Sequence, residues 1–128
     1  VADVKVTHAW IRLAPPSASV HAAYMQLLNQ HQRLHTIVQV KADCCLMAML
    51  HETLQRQDRV FMDHLSQLDL PAGKHVELMP GGIHIMLMKP YAPLLLNDVV
   101  TITLVFKDKT QQTITAVVAE SGYGDEAI

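Results

Sequence analysis

Apolar and polar positions alternate with a period of two along most of this chain. Val100, Ile102, Leu104 and Phe106 interleave with Thr101, Thr103 and Val105, the pattern of a strand with one buried face. Lys107-Asp108-Lys109 supplies a turn, and Ile114, Ala116 and Val118 alternate with Thr113 and Thr115 on the way back, so the two segments read as a hairpin. Further strands are expected near residues 3–13, 20–29, 34–41, 45–54, 59–65, 75–79 and 83–88. Pro15-Pro16-Ser17, Asn29-Gln30-His31-Gln32, Pro71-Ala72-Gly73, Pro80-Gly81-Gly82 and Asn97-Asp98 separate them with turn chemistry. The stretch 20–28 has a composition that a helix would also accept, and its place in the series makes it a strand. Some nine short strands, with turns every 8–12 residues, predict an all-β, antiparallel Greek-key β-sandwich.

Composition narrows the class without changing the fold. The chain has 128 residues, half of them apolar, enough for one self-supporting domain. We place that domain at 1–119 and a short acidic tail at 120–128. Ten basic and twelve acidic residues in no long run of one sign argue against nucleic acid or an anionic membrane as the main partner. The longest apolar run, Cys44 to Leu50, is far short of a membrane span. The chain starts Val-Ala-Asp-Val-Lys, with neither Met nor a signal peptide, so a processed or trimmed chain is expected, which leaves export open.

Five glycines, none spaced for a phosphate loop or a nucleophile elbow, exclude nucleotide enzymes and α/β-hydrolases. The two cysteines, Cys44 and Cys45, are neighbours. Adjacent Cα atoms lie about 3.8 Å apart, below the usual disulfide span, so reduced thiols are expected. Without a C-x-x-C pair, zinc-ribbon and thioredoxin readings fail.

Eight His and seven Met stand out against this background, and four of them form a pattern. Gln55-Arg56-Gln57-Asp58 suits a four-residue loop, which would set His51 opposite Met62 and Met49 opposite His64. His84 and Met86 are two apart on another strand, hence on one face. Together the two hairpins would offer two imidazoles and two thioethers to one point. Thioethers are soft, neutral donors that favour Cu(I), whereas zinc prefers thiolate, imidazole and carboxylate.

A single His or Met on a strand is usually structural, so Met25 and Met79 are assigned to packing. His8, His21, His31, His35 and His75 are assigned to surface or loop. Cys45, Met47, Met49 and His51 alternate onto one face, and Met88 extends the row on the other hairpin. They are expected to fill a half-exposed face. Glu52 points away from His51, and His64, with Met49 as partner, falls outside the ligand set.

The spacing His51-x10-Met62-x21-His84-x-Met86 resembles that of the PCuAC periplasmic copper chaperones. So do His8-Ala9-Trp10-Ile11-Arg12, Ala23-Tyr24, Leu50-His51-Glu52 and Pro80-Gly81-Gly82-Ile83-His84-Ile85-Met86. The resemblance spans roughly residues 7–118. It implies a cupredoxin-like or immunoglobulin-like sandwich, not an enzyme, that binds Cu(I) through His51, Met62, His84 and Met86 in the bacterial periplasm. It also implies delivery to cytochrome c oxidase assembly, directly or beside a thiol-based copper-delivery protein. The Met- and His-rich C-terminal tail of many members has no counterpart here, and Cys44-Cys45 matches no phrase of the family. Two rival readings are a copper-sequestration protein and a metal-dependent enzyme using His51, His64 and Glu52. The first would hold copper without handing it on, and the second would prefer a harder metal.

Overall fold

The computed structural model describes residues 4–120. These form ten strands: β1 Val4–Arg12, β2 Val20–Asn29, β3 His35–Ala42, β4 Cys45–Arg56, β5 Arg59–Leu65, β6 Leu68–Leu70, β7 His75–Leu78, β8 Ile83–Pro90, β9 Val99–Phe106 and β10 Gln111–Ala119. No helix occurs among the described residues, and the 20–28 stretch is strand β2. Of the expected tail, residues 121–128 lie outside the described residues.

The strands follow the order β5-β4-β8-β2-β1-β10-β9-β3-β6, with β7 paired to β2 beyond the end of β8. Ladder pairing alternates inward and outward side chains, so each strand turns one row to a shared interior. Val100, Ile102, Leu104 and Phe106 of β9 are buried as their alternation requires, as are Ile85 and Leu87 of β8 and Ile11 of β1. These residues belong to one apolar cluster with Ala23, Met25, Ile37, Leu50 and Val118. The architecture is the β-sandwich expected from the pattern.

Two details differ from expectation. The three-residue β6 is too short to show an alternation, and it forms because Leu68 and Leu70 bury beside β3. The pairing of β1 with β10 is parallel, Trp10 standing beside Val117, so the sheet is mixed at this seam. Short turns impose antiparallel pairing on sequence neighbours. The first and last strands share no turn, so nothing imposes it there.

His21, expected at the surface, is 4% exposed. It lies on the inward row of β2 with Ala23, Met25 and Leu27, since the period of two outweighs the polarity of one imidazole.

Strand β1 is irregular at its centre. Its register slips between Thr7 and Trp10, and His8 has φ 55°. The extra residue is a β-bulge, which re-aims the strand beyond it. Trp10 then pairs with Tyr24 of β2, their ring centres 5.1 Å apart.

Candidate metal centre

The β4–β5 hairpin closes more tightly than the sequence suggests. Arg56 pairs with Arg59 across a two-residue turn, Gln57-Asp58, and Gln57 has φ 55°. Tight hairpin turns use such left-handed residues because their twist matches that of the flanking strands. The ladder is therefore displaced by two residues from the expected one. His51 faces His64, and Thr53 faces Met62. The expected pairs His51–Met62 and Met49–His64 do not form. A slip of two preserves the face, so Met62 still stands on the same side as His51, one diagonal step away.

Strand β8 completes the arrangement from the other flank of β4. His84 is directly opposite His51, Met86 opposite Met49, and Met88 opposite Met47. Three imidazoles thus lie in a row across three strands, His64–His51–His84. Their ring centres are 5.9 Å apart for His51 and His64, and 6.1 Å for His51 and His84. Glu52 alternates to the other side of β4, where it faces Asp63 and Ile83.

Each ligand candidate is held differently. His84 is only 3% exposed, and its Nδ1 lies 3.1 Å from the carbonyl oxygen of Gly82. A carbonyl can only accept, so Nδ1–H donates and the Nε2 lone pair is left for a metal, the usual second hydrogen bond of a metal-binding His. The same carbonyl accepts from the backbone N–H of Thr53, which ties the Pro80-Gly81-Gly82 turn to β4. Gly81 turns the chain at φ 83° in a conformation that side chains disfavour.

His51 is half-buried, and its Nδ1 is buried with no hydrogen-bond partner. Burial pushes its pKa down, and so do His84 and His64, which keeps the ring neutral and its lone pair available at neutral pH. An orphaned buried ring nitrogen between two other imidazoles fits a cation site. Met86 is half-buried, whereas Met62 is 55% exposed on edge strand β5. Met62, His84 and Met86 line one cavity of about 480 Å³ with Thr53, Tyr24 and Arg12.

The cavity has an aromatic wall that sequence reasoning assigned no role. Tyr24 lies 6.3 Å from the His84 ring, Trp10 packs on Tyr24, and the Arg12 guanidinium stands 5.7 Å and 5.8 Å from the two ring centres. The signals were the phrases Ala23-Tyr24 and His8-Ala9-Trp10-Ile11-Arg12, and the bulge hides the alternation of the second. Among the described residues no three His, Cys, Asp or Glu side chains converge into a metal cluster. A cation here needs the thioethers as well as the imidazoles.

Comparison with known proteins finds relatives in sequence and in fold. The family model "Putative lipoprotein LpqE-like" matches residues 4–118. "Putative lipoprotein Lxx21020" of Leifsonia xyli subsp. xyli is 29% identical over 96% of this chain and 74% of its own length. The copper-bound PCuAC domain from PmoF2 superposes with a TM-score of 0.77 at 23% identity, covering 94% of this chain and 96% of that domain. The Cu(I) form of DR1885 from Deinococcus radiodurans superposes with a TM-score of 0.71 at 28% identity, over 91% of this chain and 77% of that one.

Proposed function

The chain belongs to the LpqE-like family, the family of PCuAC domains, and from that premise we propose that it is a copper carrier acting outside the cytoplasm. One Cu(I) would be held by His51, Met62, His84 and Met86. The observation that carries this reading is the pairing of His51 with His84, both on the face that bears Met62 and Met86. The copper named in the descriptions of PmoF2 and DR1885 structures supports it, and the lipoprotein names of relatives support export.

The donor set suits a carrier. Four neutral ligands leave the ion's single positive charge uncompensated, so binding rests on soft covalency and not on ion pairing. The two imidazoles are pinned, one by Gly82 and one by burial. The Met62 thioether sits exposed on an edge strand. An incoming thiolate or imidazole would displace Met62 first, while His51 and His84 keep hold of the ion until the acceptor has bonded. Release then passes through a shared-ligand complex and never through free copper. An acceptor in cytochrome c oxidase assembly, either its copper centre or a thiol-based delivery protein, is the destination that the family resemblance favours, and the periplasm is the matching compartment. The role is transport, with no bond made or broken in a substrate.

A competition titration of Cu(I) against a chromophoric chelator tests this reading. The intact protein should take one Cu(I). Met62→Leu keeps the volume and removes the donor sulfur, so affinity should fall by more than the roughly 10–100-fold typical of losing an outer-shell partner. Zinc binding tighter than Cu(I), and indifferent to Met62, would overturn the carrier reading.

A further inference from the structure

We propose that edge strand β5 is a self-association surface, through which two copies of this chain join antiparallel with Arg59 of each opposite Asp63 of the other. The inference goes beyond the carrier reading and needs no metal. It rests on how the β4–β5 hairpin distributes charge and on which backbone groups it turns outward.

The hairpin sets like against like. Arg56 faces Arg59 beside the turn, Glu52 faces Asp63 further along, and Leu54 faces Phe61 between them. All six share the face opposite the imidazoles, since they alternate with His51, Thr53, Met62 and His64. Like charges directly opposite each other destabilise a ladder. This face therefore carries a positive pair, an apolar step and a negative pair in that order. Turned end for end, the same row is its own complement.

The backbone points the same way. Strand β5 ends the sheet path, and among the described residues only β4 pairs with it. The Thr53 N–H is given to the Gly82 carbonyl on the β8 flank, so Thr53 does not donate to Met62. Hydrogen-bonded and non-hydrogen-bonded pairs alternate along an antiparallel ladder. Arg59, Phe61 and Asp63 thus bond to β4, while Val60, Met62 and His64 turn their N–H and C=O groups outward. Such an edge is a template for another strand. Six of its seven residues are exposed, with Val60, Phe61 and Met62 adding apolar side chains.

Charge and backbone together select one register. Setting Arg59 opposite Asp63 puts Val60 opposite Met62, and Phe61 opposite Phe61 of the second copy. Val60 and Met62 both turn backbone groups outward, so they form the hydrogen-bonded pairs, twice by symmetry. The Arg59–Asp63 and Phe61–Phe61 pairs fall at non-hydrogen-bonded positions, where side chains approach most closely. Opposite charges and aromatic pairs are stabilising there. Sliding two residues one way sets Arg59 against Leu65 and Phe61 against Asp63; sliding the other way sets Arg59 against Phe61. Both lose the charge pairs. The pairing is isologous and consumes the β5 edge of each copy, so it closes at a dimer. Seven residues a side is well short of the roughly 20–30 of a standard interface, so the dimer is transient and forms with concentration.

Sedimentation of the metal-free protein across a range of concentrations tests this, with Arg59→Asp and Asp63→Arg as variants. The wild type should pass from monomer to dimer without larger species. Each variant alone sets like charges opposite each other twice and should weaken self-association about tenfold or more. Mixed together, the two variants regain opposite charges at both positions and should pair at least as well as the wild type. Both residues are exposed, so unchanged thermal melts check that the variants fold. A wild type that stays monomeric at the highest concentration would overturn the proposal and leave the edge to a strand of another protein. So would a dimer that both variants keep, which would lie on another face, or a mixture that fails to pair. With no copper present, each of these outcomes stands apart from the success or failure of the carrier reading.

Discussion

Buried His21 and half-buried His51 each have a buried ring nitrogen lacking a hydrogen-bond partner, and their surroundings give them opposite consequences. His51 has two imidazoles beside it, and the proposed copper ion would satisfy its free nitrogen. His21 has Ala23, Met25 and Leu27 on its row and Leu87 across the ladder. Both of its ring nitrogens are orphaned. Burial pushes the His21 pKa below its ordinary value of 6.5. The unfolded chain takes up a proton near that value while the folded chain resists, so lowering the pH through it favours unfolding. The stability that neutral His21 contributes is complete above the unfolded pKa and is lost as the pH falls below it. Urea midpoints should therefore drop between pH 7 and pH 5. His21→Leu, which cannot take up a proton, should flatten that drop. Equal slopes for the two proteins would show that His21 is not the group responsible.

Strands are the scale at which sequence and structure agree most closely, and also where they part. Alternation located all the longer strands, and it put His51, Met62, His84 and Met86 on shared faces, because side-chain direction repeats every two residues. The same periodicity is blind to a slip of two, since such a slip moves no residue to the other face. Only the turn decides between the two registers, and Gln57 adopts its left-handed conformation without the Gly or Asn that would announce it. His64 therefore stood two residues away from its true partner. The bulge at His8 similarly hid the place of Trp10 beside the site.

Strand β4 also carries the row Cys45, Met47, Met49, His51. Cys45 is buried, its Sγ 2.6 Å from that of Cys44. Burial pushes both thiols above their ordinary pKa, which holds them protonated and poor as metal ligands. At about 3.3 Å per residue, Cys45 begins the strand on the order of 20 Å from His51. The double variant Cys44→Ser, Cys45→Ser should keep one Cu(I) of unchanged affinity and lose about 1–2 kcal/mol of stability from placing a hydroxyl in the core. A change in copper stoichiometry would make the row a metal path.

At the scale of the whole molecule, the site straddles the boundary between the rigid and the loose parts of the sandwich. Strands β8 and β4 lie inside the ladder, each paired on both sides, whereas β5 is its terminal strand and is exposed along almost its full length. A strand paired on one side only, with few buried apolar contacts, opens at a fraction of the global unfolding free energy. An ion bonded to Met62 on β5 and to His51 and His84 on β4 and β8 would tie that edge to the interior. Binding also stabilises the entire fold by mass action, by about 4 kcal/mol when free ligand is a thousandfold above its dissociation constant. The two effects differ in where they appear. Global stabilisation slows exchange only at amides that need complete unfolding, such as those of Ile102 and Leu104 in β9. The tie slows exchange at β5 amides that open locally. Hydrogen exchange followed with and without Cu(I) should show the largest gain in protection across Arg59–Leu65 and little local change in the β9–β10 hairpin. In Met62→Leu the β5 gain should shrink toward zero even at copper concentrations that fill the remaining ligands. Protection that rises only at globally exchanging amides, with β5 unaffected, would place the ion away from Met62 and leave the edge strand no part in its release.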